Sequence, residues 1–94
     1  MNPKSIPFKA PNIVARKTGK ECILVPVIDN IADMEAVYTL NETAKEVWET
    51  IDGELTIEMI AKELTKIFSI DTETALDDTI ELIKDLEHHG IVSE

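Results

Sequence analysis

The sequence predicts an α+β domain of winged-helix-like architecture, in which a three-stranded antiparallel β-meander precedes a three-helix bundle. Short β-branched segments separated by turn residues occupy most of the first 40 residues, and apolar residues with helical spacing occupy much of the rest. The 94 residues are 44% hydrophobic, which is enough for one modest core in a single small domain. A small meander is marginally stable alone, so we expect the helices to cover one of its faces.

Residues 1–12 are predicted to form a flexible N-terminal arm that precedes the domain of residues 13–94. Pro3, Pro7 and Pro11 recur at four-residue spacing in this segment. Proline lacks a backbone N–H and disfavours helix, and chain termini are commonly mobile. An extended or mobile arm is therefore the expected structure.

The strands are predicted from their β-branched and aromatic residues. Ile13–Thr18 and Glu21–Ile28 form a hairpin around a glycine-containing turn. After a loop, Ala36–Leu40 returns as a third strand, antiparallel to the second. Pro26 has no N–H to donate to a ladder, so it should lie at an edge, at a bulge or at the end of its strand.

A helix is predicted to start directly after the third strand. The side-chain oxygen of Asn41 can accept a hydrogen bond from a free backbone N–H of the first turn, and Gly53 is expected to end the helix. Its apolar residues have the spacing i, i+3, i+4 and i+7: Ala44, Val47, Trp48 and Ile51. The side chains expected in the core include Tyr38, Leu40, Trp48 and Ile60.

Two further helices complete the predicted bundle. The second helix starts after the N-cap Thr56 and runs to about Phe68. The third helix is capped by Asp71 or Thr72 and reaches His89.

The apolar residues of the third helix cover nearly half of its circumference, which is more than a helix with one neighbour needs. They form two stripes. The stripe expected to face inward contains Leu76, Ile80 and Ile83. The stripe on the flank contains Ala75, Thr79, Leu82 and Leu86. Two interpretations remain open: both stripes belong to the core, or the flank lines a groove beside the sheet where another molecule docks.

The charge of the chain limits the classes of partner. The net charge is −10, although the first 20 residues carry five basic side chains and no acidic one. Such an acidic chain repels the phosphate backbone of nucleic acids, so we expect no nucleic-acid partner. The acidic body of the chain, residues 21–94, contains all of the acidic side chains. It is interpreted either as a solubility feature or as an electrostatic contribution to partner choice.

We expect a cytoplasmic protein with no membrane partner. No apolar run approaches the length of a membrane span, and the N-terminal residues lack the apolar region of a secretory signal. The single cysteine, Cys22, cannot form an internal disulfide, which fits a reducing compartment.

The sequence indicates a protein that is not an enzyme and that holds no metal or cofactor. His88 and His89 are adjacent and point about 100° apart on a helix, so they cannot share one metal ion. Cys22 lies in a predicted strand without a CxxC partner and is expected to be a buried thiol. The chain has three glycines and neither a GxGxxG nor a GxxxxGK[ST] sequence, so it lacks a phosphate-binding loop.

Two binding functions fit this fold. A winged-helix transcription regulator would read DNA with basic or amide side chains on its recognition helix, but the exposed face of the third helix is acidic. The alternative is peptide recognition by β-augmentation, in which an extended segment adds to the free edge of the third strand and its side chains pack on the third helix. The strand and the broad apolar helix supply both parts of such a site.

The segment around the first helix resembles a known family. Tyr38-Thr39-Leu40-Asn41-Glu42-Thr43-Ala44, Val47-Trp48, Asp52-Gly53-Glu54-Leu55-Thr56-Ile57, Ile60-Ala61 and Leu64 are similar in order and spacing to the PqqD family. This family is that of pyrroloquinoline quinone biosynthesis protein D, the prototype of leader-peptide recognition elements for ribosomally synthesised, modified peptides. The resemblance extends over roughly residues 13–92.

The resemblance implies a non-catalytic peptide chaperone. Family members bind the leader of a precursor peptide and present it to a modifying enzyme, which in pyrroloquinoline quinone biosynthesis is a radical S-adenosylmethionine protein. On this chain, the leader would pair with the backbone of Ala36, Val37, Tyr38 and Thr39. The groove residues, inferred from the helical wheel, would be Ala75, Asp78, Thr79, Leu82 and Asp85. We expect a monomer or a weak, strand-exchanged dimer, because an open strand edge can pair with its copy.

Overall fold

The computed structural model of the protein describes residues 2–94. The strands are β1 (Phe8–Lys9), β2 (Ile13–Thr18), β3 (Glu21–Ile28), β4 (Ile31–Ala32), β5 (Tyr38–Leu40) and β6 (Val92–Ser93). The helices are α1 (Glu42–Thr50), α2 (Ile57–Ile67) and α3 (Thr72–His88). Antiparallel strands followed by three helices confirm the predicted α+β class.

The main sheet has four strands in the described residues, whereas the sequence predicted three. β3 is central, with β2 on one edge and both β4 and β5 on the other. The additional strand forms because Asp29 and Asn30 both adopt positive φ angles, 52° and 65°. This conformation gives a two-residue turn that pairs Ile28 with Ile31, so the segment predicted as a loop contains β4.

Pro26 lies inside the central strand, where the sequence predicted an edge, a bulge or a strand end. Pro26 is tolerated there because neither β4 nor β5 pairs with β3 at this residue. β5 pairs with residues 22–24 of β3, and β4 pairs with residues 27–28. No ladder donor is required from Pro26, and its carbonyl oxygen accepts a hydrogen bond of 2.8 Å from Asp33 N.

The third predicted strand is shorter than expected. The sequence placed it at Ala36–Leu40, but β5 begins at Tyr38. Ala36 lies in a bend and donates its N–H to Asp33 O at 3.3 Å, which holds it in the local turn instead of the ladder. Val37 precedes the strand and is half-buried.

The helix starts are capped as the sequence predicted. The side chains of Asn41, Thr56 and Asp71 accept hydrogen bonds from backbone N–H groups three residues later, at 2.9, 3.2 and 3.0 Å. Asp71, and not Thr72, is therefore the cap of α3. These three local bonds stabilise the first turn of each helix.

The core lies between the inner face of the sheet and the helices. Leu40, Trp48 and Ile60 are buried as predicted, and Trp48 retains 5% exposure. Cys22 is a buried free thiol, also as predicted, and burial raises its pKa. Tyr38 is only half-buried and packs against the edge of this core.

The inward face of α3 differs from the predicted one. The buried residues of this helix are Ala75, Thr79, Ile83 and Leu86, whereas Leu76 and Ile80 are only partly buried. The small side chain of Ala75 suits the close packing of α3 in the core. Thr79 tolerates full burial because its hydroxyl donates to Ala75 O at 2.7 Å.

The N-terminal segment lies along the domain, although the sequence predicted a flexible arm over residues 1–12. Met1 of that arm lies outside the described residues. β1 pairs with β6, and Ala10 N donates to Ile91 O at 2.9 Å. The carbonyl oxygens of Pro3 and Ser5 accept from the first N–H groups of α2. This segment therefore satisfies a helix start and a strand edge that would otherwise need water.

The same segment covers the tryptophan. Pro7 is fully buried, and Lys9 Nζ lies 4.7 Å from the centre of the Trp48 ring, in cation–π geometry. Burial lowers the pKa of Lys9, and the charge of Glu49 opposes this shift.

Candidate functional site

The outer edge of β5 carries no partner strand, since β5 pairs with β3 alone within residues 2–94. The hydrogen bonds of β3 show which way its backbone groups point. Val27 N donates to Asn12 O at 2.7 Å on the β2 side, whereas Pro26 O accepts from Asp33 on the opposite side. Successive residues of a strand direct their N–H and C=O groups to opposite edges, so even-numbered residues of β3 hydrogen-bond towards β5.

Thr39 is the residue of β5 whose backbone groups face the open edge. Tyr38 lies opposite Leu24, and Leu40 lies opposite Cys22. Because both partners are even-numbered residues of β3, Tyr38 and Leu40 use their N–H and C=O groups in the ladder. Thr39 lies between them, is exposed, and directs its N–H and C=O away from β3. An edge of this kind is a template for an added strand.

A cleft of about 590 Å³ lies between β5 and α1 on one side and α3 on the other. Its volume is within the range typical of ligand-binding clefts. The residues that line it are Tyr38, Asn41, Thr43, Ala44, Val47, Leu64, Asp78, Glu81, Leu82 and Asp85. The edge strand and the third helix therefore border the same opening.

The cleft has an apolar floor and an acidic wall. Val47 and Leu64 are buried side chains at its base, and Leu82 of α3 is half-buried beside them. Three carboxylates of α3 line the wall, and all three of these residues are exposed: Asp78, Glu81 and Asp85. The site can accept apolar groups below and hydrogen-bond donors or cations above.

Tyr38 connects the edge strand to α3. Its hydroxyl donates a hydrogen bond to a carboxylate oxygen of Asp85. Burial, followed by the hydrogen bond and charge of Asp85, raises the pKa of Tyr38 to about 12. His89 packs against the Tyr38 ring with centroids 5.0 Å apart, and its Nδ1 lies 2.8 Å from Asp85 O. These three side chains hold β5 against the last turn of the helix.

The structure brings together four of the predicted site residues and separates others. Asp78, Leu82, Asp85 and Tyr38 line the cleft, and Thr39 lies on the open edge. Ala75 and Thr79 do not line it, because both are fully buried in the core.

Ala36 and Val37, which the sequence analysis assigned to the third strand, precede β5, because β5 begins at Tyr38. The proposed binding edge is accordingly the shorter β5.

Sequence reasoning missed several residues of the cleft. Glu81 lies three residues after Asp78 and four before Asp85, so the helical wheel could have identified it. The contribution of α1 and α2, through Val47 and Leu64 among others, depends on how the helices pack. A local sequence pattern therefore does not indicate which residues of α1 and α2 line the cleft.

Other kinds of site are not found in the part of the chain that is described. Residues 2–94 contain no cluster of three or more His, Cys, Asp or Glu side chains placed to hold a metal ion. None of the helices in these residues is long and apolar enough to cross a membrane.

Comparisons with known proteins bear on the family and the fold of the chain. The family model for Coenzyme PQQ synthesis protein D (PqqD) matches residues 23–92, which include β5, the cleft and all three helices. A search of curated proteins found no match to the sequence. Among solved structures, that of TbiB1 in complex with the TbiA(beta) leader peptide has a TM-score of 0.75 with this chain, covering 92% of this chain and 94% of that one. The two sequences are 14% identical, so the likeness shows a shared fold.

Proposed function

Because this chain belongs to the coenzyme PQQ synthesis protein D (PqqD) family, we propose that it binds the leader of a ribosomal precursor peptide and presents it to a modifying enzyme. The leader adds to the sheet as a strand along β5. The observation that carries the proposal is the open edge at Thr39, which borders a cleft against α3.

Main-chain pairing and side-chain packing have separate roles in this mode of binding. Thr39 offers one outward N–H and one outward C=O, so the ladder contributes affinity that does not depend on the side chains of the leader. The alternate side chains of the leader that point to the inner face of the sheet enter the cleft over Val47, Leu64 and Leu82. Binding of about −8 kcal/mol, equivalent to a micromolar Kd, is expected from a few such contacts.

The fold shared with TbiB1 supports this proposal, since the TbiB1 structure contains a leader peptide. The modifying partner proposed for this chain is a radical S-adenosylmethionine enzyme, in pyrroloquinoline quinone biosynthesis or in the pathway to another modified ribosomal peptide. The chain itself acts without catalysis and without a cofactor, as a monomer or a weak, strand-exchanged dimer. A cytoplasmic location belongs to the same proposal, with support from the single, buried and free Cys22.

The test of the proposal is a proline at the open edge. Peptides are first selected on the full chain from a library of random 15-residue sequences displayed on their mRNAs, and the Kd of a selected peptide is measured by fluorescence anisotropy. Thr39→Pro removes the outward N–H and leaves the ladder to β3 in place, so it should weaken binding by about tenfold. Thr39→Val keeps the N–H and is the matched control, with an expected Kd within about twofold of wild type.

The result has a direct structural check. Binding should slow hydrogen exchange at the Thr39 amide, because the added strand covers it. An unchanged Kd for a folded Thr39→Pro protein, or a library that yields no binder, would refute strand addition at β5.

The DNA-binding alternative makes a different prediction. The cleft-facing wall of α3 carries three carboxylates, which oppose a phosphate backbone. Anisotropy with duplex DNA at low salt should show no binding. Tight binding that weakens steeply with salt would favour the regulator instead.

A further inference from the structure

The cleft limits the side chains that a bound strand can carry. Backbone hydrogen bonds are the same for every sequence, so main-chain pairing at Thr39 selects an extended segment without selecting its composition. Composition is selected by the groups that line the cleft. Their charge is of one sign, since the lining residues include three carboxylates and no Lys, Arg or His.

Two of these carboxylates have no cationic partner in the described structure. Within residues 2–94, the ion pairs closer than 4 Å involve other acids, and neither Asp78 nor Glu81 takes part in one. Asp85 differs, because its carboxylate accepts the hydroxyl of Tyr38 and lies 3.8 Å from His89 Nδ1. Asp78 and Glu81 are therefore the groups available to a cation from outside.

The floor of the cleft suits the stem of a long cationic side chain. Tyr38, Ala44 and Leu82 are half-buried and present apolar surface below the acidic wall. Lys and Arg pack their aliphatic stems on apolar surface while the charged head stays at a polar rim. A short polar or an acidic side chain would leave this combination of surfaces unmatched.

The geometry of an added strand fixes the spacing of such residues. Side chains on one face of a strand recur every second residue, about 7 Å apart. Along α3, Asp78 and Glu81 are separated by about 4.5 Å, and Asp78 and Asp85 by about 10 Å. Two flexible cationic side chains at positions i and i+2 of the strand span this wall.

We propose that the leader bound by this chain carries Lys or Arg at two alternate positions of the segment that pairs with β5, with their cationic heads on Asp78 and Glu81. This inference rests on the proposed function, because it assigns the composition of the leader that adds to β5. The acidic body then contributes to partner choice, beyond a contribution to solubility.

The experiment compares peptides selected from the random 15-residue library on the full wild-type chain and on the charge-reversed Asp78→Lys/Glu81→Lys variant. Wild type should select strands with Lys or Arg at i and i+2, and the reversed variant should select Asp or Glu at those positions. For a peptide selected on wild type, the neutral pair Asp78→Asn/Glu81→Gln should raise Kd by up to about fivefold for each carboxylate. The difference should shrink as salt is raised.

The matched control neutralises two acids of the same helix that do not line the cleft, Glu73→Gln/Asp77→Asn. It changes the net charge by the same amount as Asp78→Asn/Glu81→Gln. If the two neutral pairs lost affinity equally, the loss would be a long-range effect of net charge, and the inference would be overturned. Wild-type binders without basic enrichment would overturn it as well, while the proposed function would stand if their binding still depended on Thr39. Binders that are insensitive to Thr39→Pro, or no binders at all, would refute both proposals.

Discussion

The hydrogen bond from Tyr38 to Asp85 joins the edge strand to α3, and removing it tests whether this bond holds the cleft together. Tyr38→Phe deletes the hydroxyl and keeps the ring against His89. A hydrogen bond to a charged acceptor contributes about 1.5–3 kcal/mol where both groups are shielded. The side chain of Asp85 is 52% exposed and remains hydrated after the change, so the expected loss is nearer to about 1 kcal/mol.

The assay is thermal unfolding at several pH values. For a domain of this size, a loss of about 1 kcal/mol lowers Tm by about 4–8 °C. The pKa of Tyr38 is raised from 10.0 to about 12 in the folded protein, so the folded state holds this proton more tightly. The stabilisation is complete below pH 10 and is lost as the pH rises towards 12, so the difference between wild type and Tyr38→Phe should narrow across this interval.

A double-mutant cycle with Asp85→Ala isolates the pair. Tyr38→Phe should cost little in the Asp85→Ala background, because the acceptor is already gone. A Tm for Tyr38→Phe within about 1 °C of wild type at pH 7, with no coupling in the cycle, would show that the bond does not link β5 to α3 in solution.

Three further changes test the surrounding fold. Asp71→Ala removes the N-cap of α3 and should lower stability by about 1 kcal/mol, measured by urea unfolding; no loss would contradict the cap. Removing residues 2–10 uncovers Trp48, so Tm should fall and the tryptophan emission should shift to longer wavelength; an unchanged spectrum would place the segment away from the ring. Burial and the charge of Glu94 raise the pKa of Glu87, so Glu87→Gln should increase Tm at pH 7. That gain in Tm should disappear below pH 4.5, the ordinary pKa of the side chain, because Glu87 is then protonated in both the folded and the unfolded state. An equal gain in Tm at pH 7 and below pH 4.5 would show that the raised pKa of Glu87 is not its cause.

The local structure of the chain could be predicted because its signals act over a few residues. Asn41 and Thr56 were identified as caps from their type and position, and both accept the expected hydrogen bond. The β2–β3 hairpin followed from its β-branched residues and turn, and its pairing runs from Ile13↔Pro26 to Thr18↔Glu21. The family resemblance, carried by residues around α1, was confirmed by the match over residues 23–92.

The face of α3 shows where local pattern stops being sufficient. The helical wheel offered two apolar stripes and placed Leu76, Ile80 and Ile83 inward, but among these three only Ile83 is buried. In the structure the small residues Ala75 and Thr79 face the core. Thr79 can be buried because its hydroxyl bonds to its own helix, which hydropathy does not reveal.

The sequence by itself determined the class of fold, the helix starts and the edge strand with its neighbouring helix, because capping, turn chemistry and periodicity are short-range effects. Tertiary structure decided which residues form the cleft, since Val47, Leu64 and Asp78 come from three different helices. It also decided that residues 3–10 lie along the domain, through pairing with β6, at the other end of the chain. Contacts between residues far apart in the chain depend on how whole elements pack, and no local pattern encodes that packing.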